Sequence, residues 1–146
     1  MKKCLSILAA APFIVSILLM LGCGKPQDSL VVAVDKHGDE IMQSTAKAEA
    51  REWMQAANTN HVFFKANAKQ VAQYVDDFYK AGATQVLIVD IEEEQGFQYG
   101  EALFVVLPKD PAARAKLFEV GSRADTDFQN DSVSDQGQKY LYYSLD

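Results

Sequence analysis

The chain is poor in cysteine: it has two, Cys4 and Cys23, and none after them. The body beyond Cys23 can therefore form no internal disulfide, bind no zinc through thiolates and use no thiol nucleophile. Histidine is equally scarce. His37 and His61 share no HxH or HExxH spacing, so each reads as a surface histidine. The sequence also lacks GxSxG, GxGxxG and GxxxxGK[ST], short signatures of a serine nucleophile and of phosphate loops. It names no catalytic residue and points to no cofactor. Positive charge is in deficit as well. The formal charge is −6; Lys2 and Lys3 precede Cys23, so from there on 12 Lys and Arg face 20 acids, a net of −8. An acidic body repels nucleic acid and anionic lipid, so no nucleic-acid partner is expected.

What is present is 146 residues, 49% of them hydrophobic, enough for one domain with its own core. The start has a distinct layout. Lys2 and Lys3 precede an apolar run from Leu5 to Leu21, broken only by Ser6, Pro12 and Ser16. That is the layout of a secretory signal. A membrane span needs roughly 20 apolar residues, so the run is marginal as an anchor.

The run ends Met20-Leu21-Gly22-Cys23. This resembles a bacterial lipobox, although Met20 stands where Leu is usual. The resemblance implies that the Cys23 thiol receives a diacylglycerol, that the bond before it is cut beside the small Gly22, and that the new amino terminus is acylated. Residues 1–22 are then a signal peptide, 23–29 a lipidated tether, and 30–146 a single domain. One acyl chain anchors marginally and several anchor stably. Gly24 stands where, by family analogy, Asp favours the inner membrane. The implied location is the outer membrane, facing the periplasm. A tether from Gly24 to Ser29 reaches at most about 20 Å.

Leu30 to Asp35 reads as a strand, and Lys36-His37-Gly38-Asp39 as a turn with Gly38 at positive φ. Glu40 to Met42 returns as a second strand, or else starts a helix capped by Asp39; the hairpin is preferred. Thr45 to Ala57 has a helical stripe of Ala46, Ala50, Trp53, Met54 and Ala57. Asn58-Thr59-Asn60 breaks it.

From His61 the pattern sharpens. Val62 to Lys65 is a strand. Asn67 and Gln70 suggest a capping box, and Val71, Tyr74, Val75 and Phe78 form the stripe of a helix closed by Gly82. Gln85 to Ile91 and Ala102 to Leu107 are strands. The loop Gly96 to Gly100 between them carries Phe97 and Tyr99, as partner anchors or as hairpin residues. Asp110-Pro111 starts a helix that runs to about Val120 and Gly121. Residues 122–137 read as an acidic, mobile loop, and Lys139 to Leu145 as the last strand.

The expected class is α+β, with a ferredoxin-like βαββαβ core over 61–146 and an N-terminal strand or hairpin and helix extension. In that arrangement the first and third strands are central, and Glu92, Glu93 and Glu94 charge an edge. The strands are apolar on both faces, so the second face needs a cover. The Trp53 helix and the strand at 30–35 are the intramolecular candidates, and a second copy is the alternative.

Two acidic groups invite a test for metal. Asp90, Glu92 and Glu94 share one face of an ideal strand. Asp125, Asp127 and Asp131 alternate like a calcium loop, but Gln129, Asn130 and Gln136 occupy positions five, six and twelve of that template. Segments Tyr79 to Ala83 (YKAGA), Leu107 to Arg114 (LPKDPAAR) and Asp135 to Leu141 (DQGQKYL) resemble a class of small bacterial proteins, a resemblance that implies no activity. The expectation is a membrane-anchored envelope lipoprotein whose domain binds a protein or small ligand without catalysis. The alternative is a metal-assisted hydrolase using the carboxylates near Asp90 or Asp125, and a homodimer would hide the second sheet face.

Overall fold

The computed structural model describes residues 29–56, 60–63 and 65–145. The signal, the lipobox and Cys23 lie outside them, as do Ala57, Asn58, Thr59 and Phe64. In chain order the elements are α1 (Ser29–Gln43), β1 (Lys47–Glu49), α2 (Ala50–Gln55), β2 (His61–Val62), α3 (Ala68–Ala81), β3 (Gln85–Glu94), β4 (Phe97–Val106), α4 (Pro111–Asp127) and β5 (Tyr140–Ser144). The α+β class holds.

The hairpin of β3 and β4 is the spine, two antiparallel strands of ten residues each. Gln95 and Gly96, at φ 53° and 84°, form its two-residue turn, the I′ geometry that matches strand twist. The expected loop from Gly96 to Gly100 is therefore mostly strand, and Phe97 and Tyr99 belong to β4. On one side β1 pairs antiparallel with β3 at Leu87–Val89. On the other, β5 pairs antiparallel with Ala102–Val106 of β4, while β2 pairs parallel with Gln98 and Tyr99.

This pairing departs from the expected ferredoxin-like order. The first strand of that core is not central: β2 is two residues long and touches only one end of β4. The chain must turn at once through Lys65 and Ala66 so that Asn67 can cap α3. The place beside β4 goes to β5, whose Leu141 and Tyr143 face one core and Tyr140 the other. Nor is β3 an edge over its first half, since β1 lies against it. Only the end of β3 is free of β1, and there Glu92, Glu93 and Glu94 are exposed.

The N-terminal expectation is overturned. Residues 30–42 form neither strand nor hairpin but one helix, α1. Val31, Val34, Gly38 and Ile41 recur at i, i+3, i+7 and i+10, a helical stripe hidden by reading Gly38 as a turn. Gly38 has no positive φ. It is needed for space instead: a Cβ there would lie 2.1 Å from Cδ2 of Tyr140. The helix expected over 45–57 is also shorter. Residues 47–49 pair as an edge strand, and Glu49 caps the six-residue α2 by accepting from the Glu52 N–H at 2.8 Å.

The sheet is covered on both faces. Helices α2, α3 and α4 pack Trp53, Val71, Val75, Phe78, Leu117 and Val120 on Val86, Ile88, Leu103, Val105, Leu141 and Tyr143. On the other face Ile41 of α1 joins Leu87, Val89, Ala102, Phe104 and Tyr140. The second face thus has the intramolecular cover expected of it, supplied by α1 as a helix, while Trp53 serves the first face. Full burial of a side chain such as Phe78 or Ile88 contributes about 1.5–3 kcal/mol. Asp90, at φ 52°, resets the alternation of β3, and Ile91 turns to the face of Ile88.

Candidate functional site

Two depressions combine lining residues from several elements. The first is polar, about 400 Å³, and lies where α3 begins, α4 ends and β5 ends. Asn67 Oδ1 accepts from the N–H of Lys69 at 2.9 Å and of Gln70 at 3.4 Å, the expected cap. The reciprocal half of the capping box is different: Gln70 Nε2 donates to Asp127 Oδ2 at 3.1 Å. Tyr74 O–H donates to the same oxygen at 2.5 Å. Burial, and then the Asp127 carboxylate, push the Tyr74 phenol up to about 12. It stays protonated at neutral pH and serves as a donor. Asn130 holds Ser144 from both sides, donating to its carbonyl at 3.1 Å and accepting from its N–H at 3.0 Å. That side chain mimics a neighbouring strand on the outer edge of β5. These polar groups are committed to joining α3, α4 and β5.

The second depression is a crevice of about 390 Å³ between the start of α1, β5 and residues 131–138. Val31 and Val34 form one wall, Tyr140 and Tyr142 the floor, and Val133 the opposite wall. Two carboxylates of α1, one helical turn apart, set this geometry. Asp35 Oδ1 accepts from the Lys139 N–H at 2.8 Å. Asp39 accepts from Lys139 Nζ at 2.8 Å and from Tyr140 O–H at 2.8 Å. The Lys139 and Tyr140 bonds hold the Asp39 carboxyl below its ordinary range, and the Asp39 bond raises Lys139. Burial, then Asp39, takes the Tyr140 phenol to about 12.

The far wall was expected to be a mobile loop beginning at residue 122. Helix α4 instead continues to Asp127, and residues 133–138 beyond it are pinned. Arg114 grips Asp135 with Nε at 3.0 Å and Nη2 at 2.5 Å. That pair lowers the Asp135 carboxyl. Gln138, only 2% exposed, donates to the Ser134 carbonyl at 3.1 Å and accepts from the Gln136 N–H at 2.8 Å. Asp125 Oδ2 accepts from the Val133 N–H at 3.3 Å. Burial raises the Asp125 carboxyl.

The acids singled out in the sequence do not converge. Asp125 and Asp127 are two positions apart on a helix, hence about 200° apart around it. Asp125 turns inward to Val133, and Asp127 meets Tyr74 and Gln70 of α3. Asp131 lies on the crevice rim. Asp90 accepts from Tyr142 O–H at 3.0 Å. Among the described residues, no group of three or more His, Cys, Asp or Glu is placed to hold a metal ion. His61 stacks on Trp53 at 4.4 Å and its Nδ1 lies 2.7 Å from the Trp53 carbonyl oxygen. His37 lies on α1, with its ring 6.0 Å from that of Tyr142.

The crevice residues were missed by sequence reading because Val31 and Val34 read as strand and Val133 as loop. The one usable signal was the valine spacing across Gly38. Comparison with family models, with curated proteins and with solved structures gave no match to this chain.

Proposed function

We propose that this chain is a lipid-anchored envelope protein whose domain binds an apolar ligand and does no chemistry on it. The observation that carries the binding role is the α1–β5 crevice: about 390 Å³, walled by Val31, Val34 and Val133 over two tyrosines. Pockets of this size with a mostly apolar lining and a few polar groups suit small molecules. The anchoring role rests on Lys2, Lys3, the apolar run and Gly22-Cys23. In this reading Cys23 carries the lipid and the domain works in the periplasm beneath the outer membrane. The run from β2 to β5 is read as a ferredoxin-like unit whose first strand has shrunk, so that β5 takes its place beside β4.

Two measurements test it. Metabolic labelling with an alkyne fatty acid should mark the chain and lose the mark in Cys23→Ala; unchanged labelling refutes the anchor. A fluorescent lysophosphatidylcholine should bind the domain and bind Val34→Asp at least tenfold more weakly, since a carboxylate in that half-buried apolar wall is poorly solvated. Equal binding by the two removes the crevice as the site.

A further inference from the structure

Four large apolar residues are conspicuously exposed among those described: Val32 at 51%, Val133 at 48%, Tyr142 at 37% and Phe97 at 40%. Three of them belong to the segments that frame the crevice. Val133 and Tyr142 line the crevice, and Val32 lies in the first turn of α1, about 100° around the helix from the lining residue Val31. Phe97 lies apart, beside the turn of the β3–β4 hairpin. A clustered apolar rim marks an interaction surface, whereas scattered single residues do not.

The position of the rim in the chain says what covers it. Helix α1 begins at Ser29, and Val32 and the crevice wall belong to its first turns. If Cys23 is lipidated, the tether to Ser29 spans at most about 20 Å, so this end of the domain is the end held against the bilayer. The opposite layer, α3 and α4, is held away from it.

We propose that the rim of Val32, Val133 and Tyr142 is a membrane-facing surface that rests on the lipid, so that the crevice opens onto the bilayer and its ligand is a lipid acyl chain. This rests on the lipid-anchored reading above and names the partner for it. Amphipathic surfaces of this kind bury their apolar side at the headgroup boundary, with tyrosine suited to that depth. The nearby charge selects the lipid. Asp131 lines the crevice, and Asp35 and Asp39 lie along the same helix, with Lys36 and Lys139 the nearby cations. An acidic border around an apolar rim favours zwitterionic over anionic lipid.

The test uses the mature acylated chain in phosphatidylcholine vesicles. In that chain Cys23 is blocked by lipid and Cys4 is gone, so an introduced cysteine is the sole free thiol. Nitroxide labels go at Val32→Cys, Val133→Cys and, as the control on α4, Lys116→Cys. All three positions are exposed, so the fold tolerates them. The expected result is high access of oxygen and loss of access of a water-soluble nickel chelate at Val32 and Val133, with the reverse at Lys116. Replacing half the lipid by phosphatidylglycerol should restore nickel access at both rim positions. Water-like access at all three sites, in chains that float with the vesicles, overturns the inference while leaving the anchor intact. Low access to both reagents at the rim marks a protein cover and overturns it as well. Chains that do not float at all refute the anchor, and this inference with it.

Discussion

Gly38→Ala separates a helical α1 from a turn at the same place. In an exposed helix the change gains about 1 kcal/mol of propensity. Here the new methyl would lie 2.1 Å, 2.6 Å and 2.8 Å from three ring atoms of Tyr140. Tyr140 is itself buried against Phe104, with ring centroids 4.8 Å apart, and its hydroxyl is bonded to Asp39. The ring has little room to yield. Overpacking costs about 1–3 kcal/mol, and a contact this close belongs near the top of that range. Subtracting the propensity gain leaves a loss of about 2 kcal/mol. Urea titration of the acyl-free chain reads this as a lower midpoint at constant slope. The decisive comparison is the Tyr140→Ala background, where the obstruction is gone. There Gly38→Ala should stabilise by about 1 kcal/mol. A left-handed glycine in a turn would keep its penalty in both backgrounds. Stabilisation in the wild-type background, or an undiminished loss in Tyr140→Ala, would refute the packing of α1 on β5.

Gly100→Ala should also destabilise, by about 1–3 kcal/mol in the same assay, because a Cβ there lies 2.4 Å from Ile88 Cγ2 and 3.3 Å from Trp53. Asp125→Asn should raise stability at pH 7. The folded carboxyl is raised by burial, so its charged form costs stability above the unfolded carboxylate range. The gain should fade as pH falls through the raised folded value, where the wild-type group takes up its proton. The amide oxygen can still accept from Val133. A midpoint difference that grows in acid would contradict this. Asp135→Ala should cost up to about 1–2 kcal/mol, discounted because Asp135 is 40% exposed. Its folded value is lowered, so this contribution is present above the unfolded carboxylate range and disappears as pH falls through the folded value. Proteolysis at residues 131–137 should accelerate in the same variant.

The parts of the fold legible in the sequence were those fixed by local chemistry. Asn67 and Gly82 bound α3, and Asp110-Pro111 starts α4, because caps need particular residues at particular places. The apolar faces of β3, β4 and β5 announced a sheet covered on both sides. What failed was decided by distant partners. Valine-rich residues 30–35 have strand propensity, yet burial of Val31 and Ile41 against β5 and the second face makes them helical. Glu49 was read within a helix, but pairing of residues 47–49 with Leu87–Val89 stops the helix short. The polar run after Gly121 looked mobile because Arg114, Asp125 and Gln138 are far from their partners or polar themselves. The candidate crevice inherits both errors, since its walls are α1 and that polar run.

Native mass spectrometry of the chain extracted from membranes in mild detergent reads the anchor and the bound lipid together. The expected mass is that of residues 23–146 carrying three acyl chains, with one further lipid retained and lost in Val34→Asp. An unacylated amino terminus, or a lipid retained equally by Val34→Asp, would contradict it.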